Sequence, residues 1–356
     1  MIDIPSDPEE VRRFFFEVLR AVNERKERRR AELAEIIAKA PVPDEAMAEV
    51  AWGWSDLLKH HPGFAIEEKV RALSAMVNVF NQTHTDLVAQ LDRFHDFSSS
   101  AHFGSKTGRE ELLAIETAVD KELMAFSMAA MSLVDHVRSV RAAIAVADLE
   151  IKRRSIFDHE EHGFITDLRN MISHGHFPDV SWYLQWGEKR VSDFALTSER
   201  LLQTKDVGND ARRFITRFGE RVQIRAVAAS YSSRVRQFYA WYLPALEANA
   251  TPELMDYRRC RKICRQASSR GWHRVMVAHA IQWKLDPYVH LDKYLTRDEV
   301  EAALRLPMRS KEQVDCIIAA ADEHEACDAE LRGMVYKLFG VSVDGDDAHV
   351  AAPMAE

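Results

Sequence analysis

Glycine and proline are scarce in this chain of 356 residues, which holds 13 glycines and 11 prolines. An average protein contains roughly 12% of the two together, so collagen-like and low-complexity classes are excluded and long helices are favoured. The four cysteines all lie beyond residue 259. They are too few for the disulfide framework of a small secreted domain. We therefore expect a reduced, cytoplasmic protein.

Long hydrophobic runs are also missing. The longest nearly unbroken one, residues 123–134, contains 12 residues and includes two serines. A membrane-spanning helix needs about 20 apolar residues, so no membrane partner is expected. The first ten residues are acidic and lack the apolar core of a signal peptide.

Signatures of bound cofactors are absent as well. The chain has no glycine-rich phosphate loop ending in Lys-Ser/Thr and no dinucleotide fingerprint, so no cofactor is expected. Cys260 and Cys264 have helical spacing, with His273 and His279 downstream, but this is not a complete zinc set at a known spacing. We expect buried core thiols there and no metal.

The net charge of −8 comes from one end of the chain. Residues 310–356 hold eleven acidic and three basic residues, and the remainder is balanced. The stretch 341–356 is acidic, small and free of aromatic residues, which predicts a disordered tail.

Helical patterns dominate the rest and predict a mostly α fold. Polar, breaker-containing segments at 95–107 and 248–252 suggest boundaries. They divide the chain into an N-terminal helical region (1–105), a helical bundle (106–247) and a C-terminal helical region (248–340).

Within the central bundle, apolar residues recur every three or four positions from Leu112 to Val137. This helix is expected to continue, with or without a break, to about Arg154. A shorter helix fits 158–174, and further helix is predicted over 210–246. Between these, 180–186 and 190–196 predict one short β-hairpin.

The end of the shorter helix carries the sharpest chemical signal, Arg169-Asn170-Met171-Ile172-Ser173-His174-Gly175-His176. Exposed carbonyls at a helix end favour the protonated imidazole of His174, which suits acid–base work. Arg169 is a permanent cation that can bind a phosphate, and Asn170 can orient either group. These residues suit phosphate chemistry on RNA.

Five residues separate Arg169 and His174, about 140° around a helix, so they do not share a face squarely. A symmetric dimer would set two such helix ends side by side and supply two histidines. Alternatively, His176 supplies the second histidine within one chain.

Arg169-Asn170-x-x-x-His174, following a long amphipathic helix, resembles the R-x4–6-H signature of the HEPN superfamily. The resemblance covers about residues 108–245. It implies an all-helical bundle and a homodimer that cleaves RNA without metal, by attack of the 2′-hydroxyl on the adjacent phosphate. It also implies a bacterial toxin or antiphage context, with an antitoxin or defence-system partner.

The preceding helix adds Ser132-Leu133-Val134-Asp135-His136-Val137-Arg138, which is similar to the first-helix pattern of bacterial HEPN-like proteins. The resemblance makes Asp135 the acid expected near Arg169, with His136 and His176 as accessory residues. Some family members carry tyrosine two positions after the histidine as a target for an adenylylating antitoxin. This chain has His176 there, which departs from that pattern.

Two other interpretations remain open at this point. Arg, Asn and His at a helix end often only cap carbonyls and pair with nearby acids. Many HEPN domains are also inactive, which makes a non-catalytic RNA-binding or protein-interaction module the alternative function.

A basic stripe is the second feature. Arg213, Arg217, Arg221 and Arg225 recur every four residues, which predicts one helical face. Like charges at that spacing repel, so an opposing partner is expected. The partner is either an RNA backbone or acidic residues across a dimer or domain interface, such as those of 310–356.

Overall fold

The computed structural model describes residues 58–186, 190–205 and 207–341, with isolated helical positions between 16 and 35. It is mostly helical with a small antiparallel sheet, which confirms the predicted mostly α class. The helices predicted before residue 58 lie largely outside the described residues. So does the predicted acidic tail, except for Val341.

Helices occupy both ends of the described chain, and the strands lie near its middle. The first helices are α1 (Pro62–Ser98), α2 (Lys106–Arg141), α3 (Leu149–Ile156) and α4 (His159–Ser173). Two strands, β1 (Val180–Gln185) and β2 (Val191–Thr197), precede α5 (Ser198–Gln203), α6 (Asn209–Phe218), β3 (Arg221–Gln223) and α7 (Ile224–Ala248). The remaining elements are α8 (Pro252–Gln282), a 3₁₀ helix (Pro287–Lys293), α9 (Arg297–Leu304), α10 (Lys311–Ala321) and α11 (Ala329–Phe339).

The chain divides into two compact units. One is Ala65–Leu254, and the other contains residues before and after it. The predicted domain boundary near residue 105 therefore falls inside a unit. The reason is a shared core: Phe80 of α1 packs on Phe126 of α2, with ring centroids 5.2 Å apart, and both contact Tyr231 of α7.

The helical stretch predicted to about Arg154, with or without a break, has a break: α2 ends at Arg141 and α3 begins at Leu149. The helix expected over 210–246 ends at Phe218, because Gly219 adopts φ +78°, a left-handed conformation that glycine favours. The chain then forms β3 before α7 resumes the helix.

The hairpin predicted over 180–196 is present, and β3 extends it to a three-stranded sheet in the order β1-β2-β3. Register pairs Val180 with Leu196 and Gln185 with Val191. One face of β1 packs inward, where the Trp182 ring lies 6.0 Å from that of Phe94.

The second unit has its own small core around α9, α10 and α11. Its buried apolar residues are Leu291, Leu295, Ala303, Val314, Ile317, Ile318, Tyr336 and Phe339. Thr296 and Glu299 form a capping box that fixes the start of α9. None of the described helices is both long enough and apolar enough to cross a membrane.

Candidate functional site at the end of helix α4

Helix α4 ends in the predicted motif, and its end is closed by backbone hydrogen bonds. The His176 amide donates to the Met171 carbonyl at 2.9 Å, and the Gly175 amide donates to the Ile172 carbonyl at 3.1 Å. Gly175 has φ +80°. This is the Schellman arrangement, which satisfies carbonyls that a helix end otherwise leaves unpaired. His174 occupies the C-cap position.

Arg169 and Asn170 lie one turn before the cap. The Arg169 guanidinium donates from Nη1 to Asn170 Oδ1 at 3.1 Å, and both side chains are partly buried. The amide oxygen of Asn170 is therefore in contact with the Arg169 guanidinium, and the orienting role expected for Asn170 stays a prediction.

Both histidines of the motif are exposed. Within the described part of the chain, the His174 side chain forms no hydrogen bond, ion pair or ring contact. Its imidazole is therefore open to a ligand or a second molecule.

Asp135 and His136 lie away from the C-terminal end of α4. Two hydrogen bonds show that helices α2 and α4 pack antiparallel. Met128 Sδ accepts a hydrogen bond from Ser173 Oγ, and Met131 Sδ accepts one from Thr166 Oγ1. Residues later in α2 therefore lie opposite earlier residues of α4. Asp135 is instead paired with Arg138 at 3.0 Å. Within one chain, Asp135 does not supply the acid expected beside Arg169.

The four arginines of the basic stripe do not share one helical face, and that prediction was wrong. Arg213 and Arg217 lie on α6, Arg221 lies in β3 and Arg225 begins α7. The helix break at Gly219 separates the first two from the others.

Three of these arginines meet acids of their own unit. Arg213 contacts Glu160 at 2.8 Å and also pairs with Asp210. Arg217 contacts Asp158 at 3.0 Å and Glu160 at 2.9 Å. These acids belong to the first turn of α4 and to α6, not to 310–356.

Arg225 is neutralised in the same way, by Asp92 of α1 at 2.7 Å and Asp193 of β2 at 2.9 Å. Arg221 differs. In the described residues it has no acidic partner, and its guanidinium lies 5.4 Å from the centre of the Tyr183 ring.

Asp120 of α2 was not identified from the sequence. Partial burial, together with the negative charge of Glu116, raises the pKa of its carboxyl to about 6. Asp120, Met124 and Met128 follow one another at four-residue spacing, so they share a face of α2. The one feature of the sequence that pointed to a raised pKa for Asp120 was the acidic Glu116 four residues earlier.

Three exposed apolar side chains belong to α2 and to the segment that follows α4, and we call them the apolar patch. We define it as Met124, Met128 and Phe177, whose exposed fractions are 41%, 41% and 45%. Met128 contacts Ser173, the residue before His174, and Phe177 follows three positions after His174. Met128 is therefore an exposed apolar side chain beside the end of α4.

Cys260 and Cys264 are buried, as predicted, and burial together with Cys260 raises the pKa of the Cys264 thiol to about 12. His61, Asp256 and Cys260 hold donor atoms within 4.8 Å of one another. His61 Nδ1, however, accepts a hydrogen bond from the Gly63 amide at 3.0 Å. The ring proton therefore sits on Nε2, which donates to Asp256 at 3.3 Å. This arrangement explains the cluster without a metal.

Comparisons of this chain with protein-family models, with curated proteins and with solved structures found no match.

Proposed function

We propose that this protein is a metal-independent endoribonuclease of HEPN type. The observation that carries the proposal is the end of α4. There an exposed His174 stands on a closed helix cap, one turn beyond an arginine held by Asn170. An exposed imidazole and an arginine near the same helix end are the kinds of group that promote attack on a phosphodiester.

In this mechanism His174 accepts the proton of the RNA 2′-hydroxyl or donates one to the leaving 5′-oxygen. The 2′-oxygen attacks the adjacent phosphorus, and the bond to the 5′-oxygen breaks. The products carry a 2′,3′-cyclic phosphate and a 5′-hydroxyl. Arg169 balances the extra negative charge of the pentavalent phosphorane, and Asn170 keeps its guanidinium aimed.

The reaction needs both a base and an acid, and a homodimer supplies them as two copies of His174. The apolar patch of Met124, Met128 and Phe177 is the surface through which two copies would meet. In this arrangement His176, which follows the same helix end, acts across the dimer axis.

The RNA backbone would run from this site toward Tyr183 and Arg221. Tyr183 lies nine residue steps after His174, so an extended chain limits their separation to about 30 Å. That is a span of a few nucleotides. Arg213, Arg217 and Arg225 act within the fold, because each is already paired with acids.

The test is cleavage of a mixed RNA pool in EDTA by the wild type, His174→Ala and Arg169→Ala. His159→Ala is the matched control, because His159 is an exposed histidine at the other end of the same helix. We expect cyclic-phosphate ends from the wild type and the control. Loss of about 100-fold or more in rate is expected for His174→Ala.

The second candidate function is a non-catalytic module that binds RNA or a protein partner, such as an antitoxin or a defence-system component. The observation that favours it is that Asp135 does not converge on Arg169 within one chain. A folded, dimeric wild type that binds RNA with Kd unaffected by His174→Ala and leaves the pool intact would establish this module and reject the nuclease.

A further inference from the structure

A cavity of about 240 Å³ opens between α2, α3 and α7, beside the first turns of α4. It lies at the opposite end of α4 from His174. Its walls are apolar side chains from all three helices and from the segment after α3. They include Leu133, Val134, Val137, Phe157, Val235 and Phe238.

The mouth of this cavity is cationic. Arg138 and Arg141 of α2 and Arg153 of α3 line it, with Glu150 as the one acid in the lining. Glu150 is shared: its Oε1 lies 2.8 Å from Arg141, and its Oε2 lies 3.1 Å from Arg153. Arg138 pairs with Asp135 at 3.0 Å. Three guanidinium groups thus face two carboxylates, which leaves one positive charge uncompensated.

The inner end of the cavity holds a histidine–tyrosine pair. His162 Nδ1 lies 2.9 Å from Tyr231 Oη. Burial and the charges of Arg153 and Arg138 lower the pKa of His162. The same arginines that line the mouth therefore act on the inner histidine.

We propose that this cavity binds an amphipathic anion, with a carboxylate or phosphate head between Arg138 and Arg153 and an apolar chain against the walls. The surplus positive charge at the mouth selects the head group. The apolar lining stabilises the chain by removing it from water. This site shares no side chain with the α4 C-terminal motif, so it stands whether or not the protein cleaves RNA.

The cavity volume sets the size of the ligand. Pockets for drug-sized molecules measure about 300–1,000 Å³, so this cavity suits a ligand smaller than those molecules. A saturated acid of medium length meets both requirements. Octanoate is the probe for the full ligand, octanol has the chain without the charge, and acetate has the charge without the chain.

The experiment is isothermal titration of the full chain with these three probes. Octanoate is expected to bind at least about ten-fold more tightly than either octanol or acetate, because only octanoate uses both parts of the site. A second readout is the NMR titration of His162. An anion between Arg138 and Arg153 offsets their charges, so we expect the His162 pKa to rise when octanoate is bound.

Two substitutions at the mouth are expected to change the affinity for octanoate in opposite directions. Arg153→Gln removes a positive charge and weakens octanoate binding about ten-fold, whereas Glu150→Gln releases Arg141 and Arg153 and strengthens it. Val137→Phe fills the cavity and abolishes binding of both octanoate and octanol. Arg109→Gln is the matched control, because it removes an exposed arginine from the other end of α2.

Equal affinity for octanoate and acetate would overturn the proposal, since the apolar walls would then contribute nothing. It would also fail if Arg153→Gln and Glu150→Gln changed the affinity in the same direction. Circular dichroism of each variant separates loss of the ligand from loss of the fold.

Discussion

Arg225 Nε donates to Asp193 Oδ2 at 2.9 Å, which ties the first turn of α7 to the central strand β2. The Asp193 side chain is only 9% exposed, and Arg225 supplies its compensating charge. Arg225 reaches Asp92 of α1 as well, at 2.7 Å. One guanidinium therefore joins three elements of the unit.

Arg225→Ala is expected to lower the free energy of unfolding by about 3 kcal/mol, because it leaves a buried carboxylate uncompensated. Arg221→Ala, at an exposed position without an acidic partner in the described residues, should change it by less than about 0.5 kcal/mol. Urea unfolding of both variants checks this. Adding Asp193→Asn to Arg225→Ala should recover part of the loss, and similar losses for the two single variants would contradict the assignment.

For RNA affinity we expect Arg221, and not the paired Arg225, to be the arginine that matters. Arg221→Ala and Tyr183→Ala are expected to weaken binding of single-stranded RNA, since a free guanidinium over an aromatic ring suits a phosphate and a stacked base. Arg221→Ala should also reduce the slope of log affinity against log salt by about 1. Filter binding at several salt concentrations measures both. Arg213→Ala is the control, because Arg213 is already paired with Glu160 and Asp210.

The cap of α4 can be tested at Gly175, whose φ is +80°. A Cβ added there would meet no atom within 4 Å, so any cost of a substitution is conformational. Gly175→Ala should destabilise the protein by about 1 kcal/mol, and Gly175→Asn by less, because asparagine tolerates the left-handed region. Thermal denaturation checks the order. A stabilising Gly175→Ala would show that this cap does not persist in solution.

The partly buried Asp120 gives a pH-dependent prediction. Its pKa is raised from near 4 to about 6, so the folded state binds more protons than the unfolded state between those values. Stability contributed by this residue therefore falls as pH rises from 4 to 6. Asp120→Asn removes that loss and should stabilise the protein at pH 7.5 by about 1 kcal/mol, after allowing for solvent screening.

Urea unfolding of Asp120→Asn at pH 4 and pH 7.5 tests this sign. The difference from wild type should be much smaller at the lower pH, where the carboxyl is protonated in the folded state and about half protonated in the unfolded state. A variant less stable than wild type at pH 7.5 would mean that the ionised carboxylate has a stabilising partner.

Local signals in the sequence were enough to predict α4 and its ends. Asp158 is the N-cap, where its side chain accepts from the Glu160 amide, and Gly175 closes the other end. Both depend on neighbouring residues only. The hairpin was likewise predictable from its aromatic and β-branched residues, because strand propensity and the turn are local properties.

What the sequence did not reveal depends on contacts between distant segments. Arginines at four-residue spacing suggested one helical face, but Gly219 breaks the helix and Val222 pairs with Leu196 in the sheet. The ion pair of Arg225 with Asp92 spans 133 positions, and no periodicity predicts it. The pKa of Asp120 depends on burial by packing, which a single sequence does not display.

The sheet stops at β1, which pairs with β2 and with no other strand among the described residues. The backbone amides and carbonyls on the outer side of β1 therefore have no strand partner among the described residues. Such an edge is a template on which another extended chain can form backbone hydrogen bonds. The hairpin that follows the α4 motif thus has an exposed edge strand to which another strand can pair. When this protein is concentrated or partly unfolded, chain-to-chain association is expected to start along Val180–Gln185, and a lysine or proline placed on that strand is the substitution that should keep it dispersed.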